Sequence, residues 1–176
     1  RSAYDQPVDL LHTILDLRPD WDHKWMIGTA TLQLKPRFYP IDSVILNARG
    51  MEIKTVISVA AGNQIDTLRY NYDSSMLRIR LQSPATRNDT IRLRITYVAK
   101  PDELEGGGSD AIKDDKGLFF INADASNPDK PRELWTQGET ESNSSWFPTI
   151  ESPAQKMTQD IYLTVEAAMT TLSNGL

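Results

Sequence analysis

The sequence predicts an all-β domain of two packed, mostly antiparallel sheets with about ten strands, a β-sandwich. Three observations predict it. Apolar side chains recur at every second position in segment after segment. The segments are short and bounded by Gly, Pro, Asn, Asp and Ser clusters. No stretch carries the apolar stripe of a helix long enough to count, and no internal repeat is present. With 176 residues, 39% of them hydrophobic, the chain can bury one sizeable core, so a single domain over residues 1–176 is expected.

The strands follow in order. Leu11, Thr13, Leu15 and Leu17 alternate with His12, Ile14 and Asp16, and Ala30, Leu32 and Leu34 alternate with Thr29, Thr31 and Gln33. Val44, Leu46 and Ala48 lead through Ala48-Arg49-Gly50, a turn, into Ile53, Thr55 and Ile57. Leu68, Tyr70 and Tyr72 precede Asp73-Ser74-Ser75, after which Leu77, Ile79 and Leu81 alternate with Arg78 and Arg80, the clearest hairpin in the chain. Ile91, Leu93, Ile95 and Tyr97 alternate with Arg92, Arg94 and Thr96. The arginine rows read as solvated outer faces, the ordinary way a strand keeps its exposed side soluble.

Residues 100–116 change character, with Pro101, charged clusters and Gly106-Gly107-Gly108, and read as a surface loop. No Lys-Ser or Lys-Thr pair follows the glycines at phosphate-loop spacing, so a nucleotide-binding reading fails. A short buried strand over residues 117–121, a loop over 122–132, and Leu134-Trp135-Thr136 come next. Ile161, Leu163 and Val165 alternate with Tyr162 and Thr164 as a last strand. Asn174-Gly175 is a strong hairpin signal with no partner strand after it, which predicts a segment of a longer protein.

Composition narrows the function. Twenty-four acidic against 19 basic residues give a formal charge of −5, which disfavours nucleic acid as a partner. No apolar run reaches the roughly 20 residues needed to cross a bilayer. The sequence opens on Arg1 rather than Met, which is compatible with a cytoplasmic or an exported protein. Absence of cysteine excludes disulfides, thiolate metal sites and cysteine nucleophiles. The only histidines, His12 and His23, lack the i, i+4 spacing of a helical zinc site and read as strand-surface or turn residues.

Residues 135–153 stand apart. They lack alternation and place Glu139, Glu141, Glu151 and the Gln137 amide among Trp135, Trp146, Phe147, Pro148 and Pro153. That composition suits a rigid loop holding polar groups at the edge of a cleft. On residue chemistry alone, Gln137 and Glu139 either brace the loop or face a ligand. Glu141 reads as a solvated carboxylate, and Trp146, Phe147 and Pro148 as packing that fixes the loop.

Thr136-Gln137-Gly138-Glu139, followed by Trp146-Phe147-Pro148, Glu151-Ser152-Pro153 and Lys156, resembles the M1 zinc aminopeptidase pattern of Thr-Gln-x-Glu, Phe-Pro, acidic-x-Pro and lysine. Leu11-His12-Thr13, residues 28–32, Lys116-Gly117-Leu118-Phe119 and residues 128–132 are similar to that family's N-terminal domain, so the resemblance spans nearly the whole chain. It implies a saddle-shaped β domain leaning on a catalytic domain of the same chain beyond Leu176, where a His-Glu-x-x-His helix holds zinc. No such motif occurs here, so the resemblance places no catalytic residue and no metal ligand in this segment, and assigns zinc to the parent enzyme. It implies that Glu139 pairs with the free α-ammonium of a peptide's N-terminus and that Gln137 hydrogen-bonds near the same end. The chemistry agrees, because a carboxylate holds an ammonium by charge-assisted hydrogen bonds that an acylated amine cannot make. Ser142-Asn143-Ser144-Ser145 departs from the family, which often has an arginine there. A scaffold domain of a catalytically inactive relative, or an independent carbohydrate- or protein-binding sandwich, are the competing readings.

Overall fold

The computed structural model describes residues 6–60, 64–104, 116–139 and 141–175. Eleven strands follow one another: β1 (Val8–Asp20), β2 (Trp25–Pro36), β3 (Ile41–Asn47), β4 (Met51–Val59), β5 (Ile65–Thr67), β6 (Tyr70–Tyr72), β7 (Met76–Ala85), β8 (Ile91–Ala99), β9 (Leu118–Ile121), β10 (Glu133–Thr136) and β11 (Thr158–Leu163). The all-β expectation holds, and the only helical elements among the described residues are short 3-10 turns. The two sheets expected are a six-stranded sheet ordered β11-β1-β2-β8-β4-β5 and a three-stranded sheet ordered β3-β7-β6, and a separate β9–β10 ribbon is added to them. The glycine run at 106–108 lies outside the described residues.

Alternation does what the sequence predicts in β2, β3 and β8. Ala30, Leu32, Leu34, Val44, Leu46, Leu93, Ile95 and Tyr97 are all fully buried, in one continuous core shared by the two larger sheets. The arginines between them on β7 and β8 are exposed. Arg78 and Arg80 are paired on the surface with Asp73 and Asp42.

Two strands break step. In β1, pairing with β2 slips between Leu10 and His12, so Leu11 is the extra residue of a bulge. Val8 and Leu10 point inward before it, Thr13, Leu15 and Leu17 after it, and Leu11, expected in the buried row, is 38% exposed. In β4 the register with β8 slips between Ile53 and Thr55. Val56 takes the core position, Thr55 is exposed and Ile57 only half-buried, contrary to the expected row. One inserted residue reverses every later side chain, because the strand period is two.

Turn chemistry fixes the connections. The β6–β7 hairpin closes on Asp73, whose carboxylate accepts the Ser75 and Met76 N–H groups at 3.1 and 2.7 Å and the Arg78 guanidinium at 2.9 Å. The Met76 and Arg78 bonds chiefly hold its pKa below the ordinary carboxylate value. The β1–β2 turn is clasped by Asp20, which accepts the His23 N–H at 3.2 Å and meets its ring Nδ1 at 2.9 Å. At residues 48–50 the chain leaves one sheet and enters the other rather than forming a hairpin. Tyr72 ties that crossover down, its hydroxyl donating to the Ala48 carbonyl at 2.9 Å and accepting the Met51 N–H at 2.7 Å.

β11 is the exception to antiparallel pairing. It runs parallel to β1 along the edge of the large sheet, with Leu15 opposite Ile161. Ile161 and Leu163 were read as one apolar side of an alternating strand, yet every residue of β11 is exposed, since none of the described residues covers either of its faces. His12 joins the pair, its Nδ1 lying 2.7 Å from the Thr158 hydroxyl and its Nε2 3.5 Å from Asp160. Both histidines therefore occupy the strand-surface and turn positions expected of them.

Candidate functional site

The loop that follows β10 is built outward from the β9–β10 ribbon. Thr136 pairs with Leu118 and Trp135 with Phe119, whose rings stack with centroids 4.6 Å apart. As the chain leaves the ribbon, the Gln137 N–H donates to the Gly117 carbonyl at 2.9 Å. Gly117 has φ +66°, and a Cβ there would lie 2.0 Å from the Ser142 carbonyl oxygen, so both conformation and space demand glycine. The Gly138 carbonyl accepts the Ser142 N–H at 3.1 Å, closing a tight loop around Glu139. Gly138 is itself pressed against the Asn143 side-chain amide, 2.5 Å from where a Cβ would sit.

The main chain is thus held at Gln137 and at Gly138, immediately before Glu139. Gln137 is half-buried and Glu139 exposed. Among the described residues neither side chain is engaged in a hydrogen bond or ion pair. Glu141 is exposed, as expected of a solvated carboxylate.

The other half of the loop turns inward. Asn143–Ser145 form a single 3-10 turn. The N–H groups of Asn143 and Ser144 donate to the two oxygens of Glu151, at 3.2 and 2.6 Å. A carboxylate at the start of a helical turn satisfies donors that have no partner inside the turn, and its charge complements theirs. Glu151 is held in place by β3, since its own N–H donates to Asn47 Oδ1 at 3.0 Å. Asn47 and Thr149 exchange both backbone hydrogen bonds, at 2.7 and 3.0 Å, and the Arg49 N–H donates to the Ser144 carbonyl at 2.7 Å. The Ser145 hydroxyl reaches the carbonyl oxygens of Lys116 and Ser142.

Trp146 and Phe147 complete the plug. They meet edge to face at 4.5 Å and are 6% and 2% exposed, with Ile150 buried beside them. Burial of two such rings contributes roughly 1.5–3 kcal/mol each. This is the packing role expected for the Trp-Phe-Pro segment. The bracing that residue chemistry left open for Gln137 and Glu139 falls to the Glu151 carboxylate and to the Gln137 and Gly138 main chain. Sequence reasoning named Glu151 among the loop's carboxylates and as the acidic residue of the motif but gave it no bracing role. A polar Ser-Asn-Ser-Ser run followed by an acidic residue was the available signal, but the Asn47 partner lies 104 residues away.

The sequence matches the family model for the peptidase M1 N-terminal domain over residues 2–176. No curated relative matches it at a significant level. Among solved structures, a two-domain M1 zinc metallopeptidase variant bound to L-arginine superposes with a TM-score of 0.73 at 20% identity, covering 92% of this chain and 33% of that one. The M1 zinc metallopeptidase from Deinococcus radiodurans gives 0.68 at 19% identity, with 93% and 34% covered. Native leukotriene A4 hydrolase from Saccharomyces cerevisiae gives 0.67 at 21% identity, with 94% and 26% covered. At these identities the likeness is one of fold, and the chain spans a quarter to a third of the length of the proteins it matches. Taken with the family match, which covers all but the first residue, this chain belongs to the M1 peptidase N-terminal domain family.

Proposed function

We propose that this domain presents the amine-binding loop of a zinc aminopeptidase, with Glu139 pairing the free α-ammonium of the peptide substrate and Gln137 hydrogen-bonding beside it. One observation carries the reading: Glu139 is exposed, with no side-chain partner among the described residues, directly after Gln137 and Gly138, whose main chain is held by Gly117 and Ser142. A side chain needed for support would be spent on support, as Glu151 is. A carboxylate with no side-chain partner among the described residues breaks no internal bond on meeting an ammonium, so the charge-assisted bond is available for binding, less the rotamer freedom the side chain gives up.

In this reading the opposite wall of the pocket, the zinc and the water that attacks the peptide bond belong to a catalytic domain of the same protein. The zinc would activate that water and polarise the scissile carbonyl. His12 and His23, engaged with Thr158 and Asp160 and with Asp20, take no part. The neighbour bound to L-arginine, a ligand with a free α-amine, fits the same assignment. Exopeptidase selectivity then follows as a difference in affinity: an acylated N-terminus has no charge to offer and leaves Glu139 desolvated without a partner.

The test is Glu139→Ala in the full-length enzyme. kcat/KM for peptides with a free N-terminus should fall roughly 30- to 5,000-fold, the equivalent of about 2–5 kcal/mol for removing one partner of a buried charge pair. Unchanged kcat/KM would remove the amine anchor and leave the domain as a scaffold.

A further inference from the structure

We propose that Glu151 is a positioning residue for the amine-binding pair, the link through which β3 sets where Glu139 stands; the inference rests on the reading of Gln137 and Glu139 given above. Each oxygen of Glu151 accepts one main-chain N–H, from Asn143 and from Ser144, and its own N–H is held by Asn47 Oδ1. Both oxygens are therefore occupied by backbone donors, and Glu151 is no ligand-binding carboxylate in its own right.

The path from this clamp to Glu139 is short. Ser142, directly before the clamped pair, donates its N–H to the Gly138 carbonyl and accepts the Ser145 N–H, at 3.1 and 3.3 Å. Glu139 lies inside the loop that the first of these bonds closes. The two ends of the 137–151 segment are seated on different parts of the fold, on Gly117 at the start of β9 and on Asn47 at the end of β3. Without the carboxylate clamp the turn keeps the Arg49 N–H bond to the Ser144 carbonyl but loses both bonds at its start, so residues 142–144 can tilt against Gly138, and with them the direction of the Glu139 side chain. A displacement of about 1 Å at a positioning group can cost two orders of magnitude in rate, so a clamp of this kind acts on recognition without touching substrate.

A glutamine at 151 keeps the shape and one acceptor oxygen but sets an NH2 donor against a main-chain N–H donor. The experiment uses the full-length enzyme and compares competitive inhibition by an amino-acid hydroxamate and by its des-amino analogue. The ratio of the two inhibition constants isolates the contribution of the amine, and a variant that merely lowers the folded fraction leaves it unchanged. Glu139→Ala should collapse the ratio. Glu151→Gln should reduce it about tenfold, Glu151→Asp less, and Glu151→Gln should add nothing once Glu139 is alanine, because the two act through one interaction. Asn47→Ser, which removes the amide that holds Glu151, should lower the ratio in the same direction and serves if Glu151→Gln does not fold. A ratio within twofold of wild type in Glu151→Gln or, where that variant does not fold, in Asn47→Ser, beside a collapsed ratio in Glu139→Ala, overturns the positioning role and leaves the amine anchor standing. An intact ratio in Glu139→Ala overturns both.

Discussion

The 137–151 loop contains two regions that differ in almost every physical respect while sharing one backbone. Among the described residues the side chains of Gln137 and Glu139 make no hydrogen bond or ion pair, and it is the main chain of Gln137 and Gly138 that joins this stretch to the fold. Residues 142–151 do the reverse: serine hydroxyl, carboxylate and aromatic rings are all directed at the rest of the protein. The contrast shows how a loop can be rigid and still offer a carboxylate for binding, with the holding side chains segregated a few residues downstream of the offered ones.

Substitutions should sort by side of the loop, and the largest stability effect should fall on the inward half. Phe147→Ala removes a ring that is 2% exposed, and about 3–5 kcal/mol of unfolding free energy should be lost in urea denaturation. A loss under about 1 kcal/mol would mean that the ring is not packed as described. Gly117→Ala comes next, since the new methyl meets the Ser142 carbonyl and the backbone must keep a positive φ. A destabilisation of roughly 1–3 kcal/mol is expected, and a neutral result would show that the seat under Gln137 is looser than its geometry. The smallest effect sharpens the contrast most. Glu139→Ala should change stability by no more than about 0.5 kcal/mol although it is expected to disable recognition, and a loss above about 1.5 kcal/mol would mark Glu139 as a brace after all.

The sheets were more legible in the sequence than the loop was. In β2, β8 and the first half of β7, side-chain burial repeats with the strand period and local pattern is sufficient, whereas Tyr70 of β6, read in the apolar row, is 41% exposed. The misses have a common physical origin in information that is not local. Bulges at Leu11 and next to Lys54 reverse inside and outside without any distinguishing residue type. The turn at residues 48–50 was legible as a turn, but it looks the same whether the chain folds back into one sheet or crosses to another. The exposure of β11 depends on what covers its faces, which alternation cannot reveal. In the loop, Gln137 and Glu139 were found by resemblance to a family, whereas the Glu151 clamp depends on Asn47, more than a hundred residues earlier, and only the folded structure joins them.

The parallel pairing of β1 with β11 has a consequence for biogenesis. β1 is made before both of its partners and pairs readily with β2, but its other flank stays bare until residues 158–163 have been made. For most of its synthesis the nascent domain therefore carries an open row of backbone donors and acceptors beside Leu11 and His12, the kind of template on which chains associate wrongly. Closing it joins residues almost 150 positions apart, among the slowest contacts for a chain to find. Chaperone dependence and misassembly of this protein should concentrate in that interval.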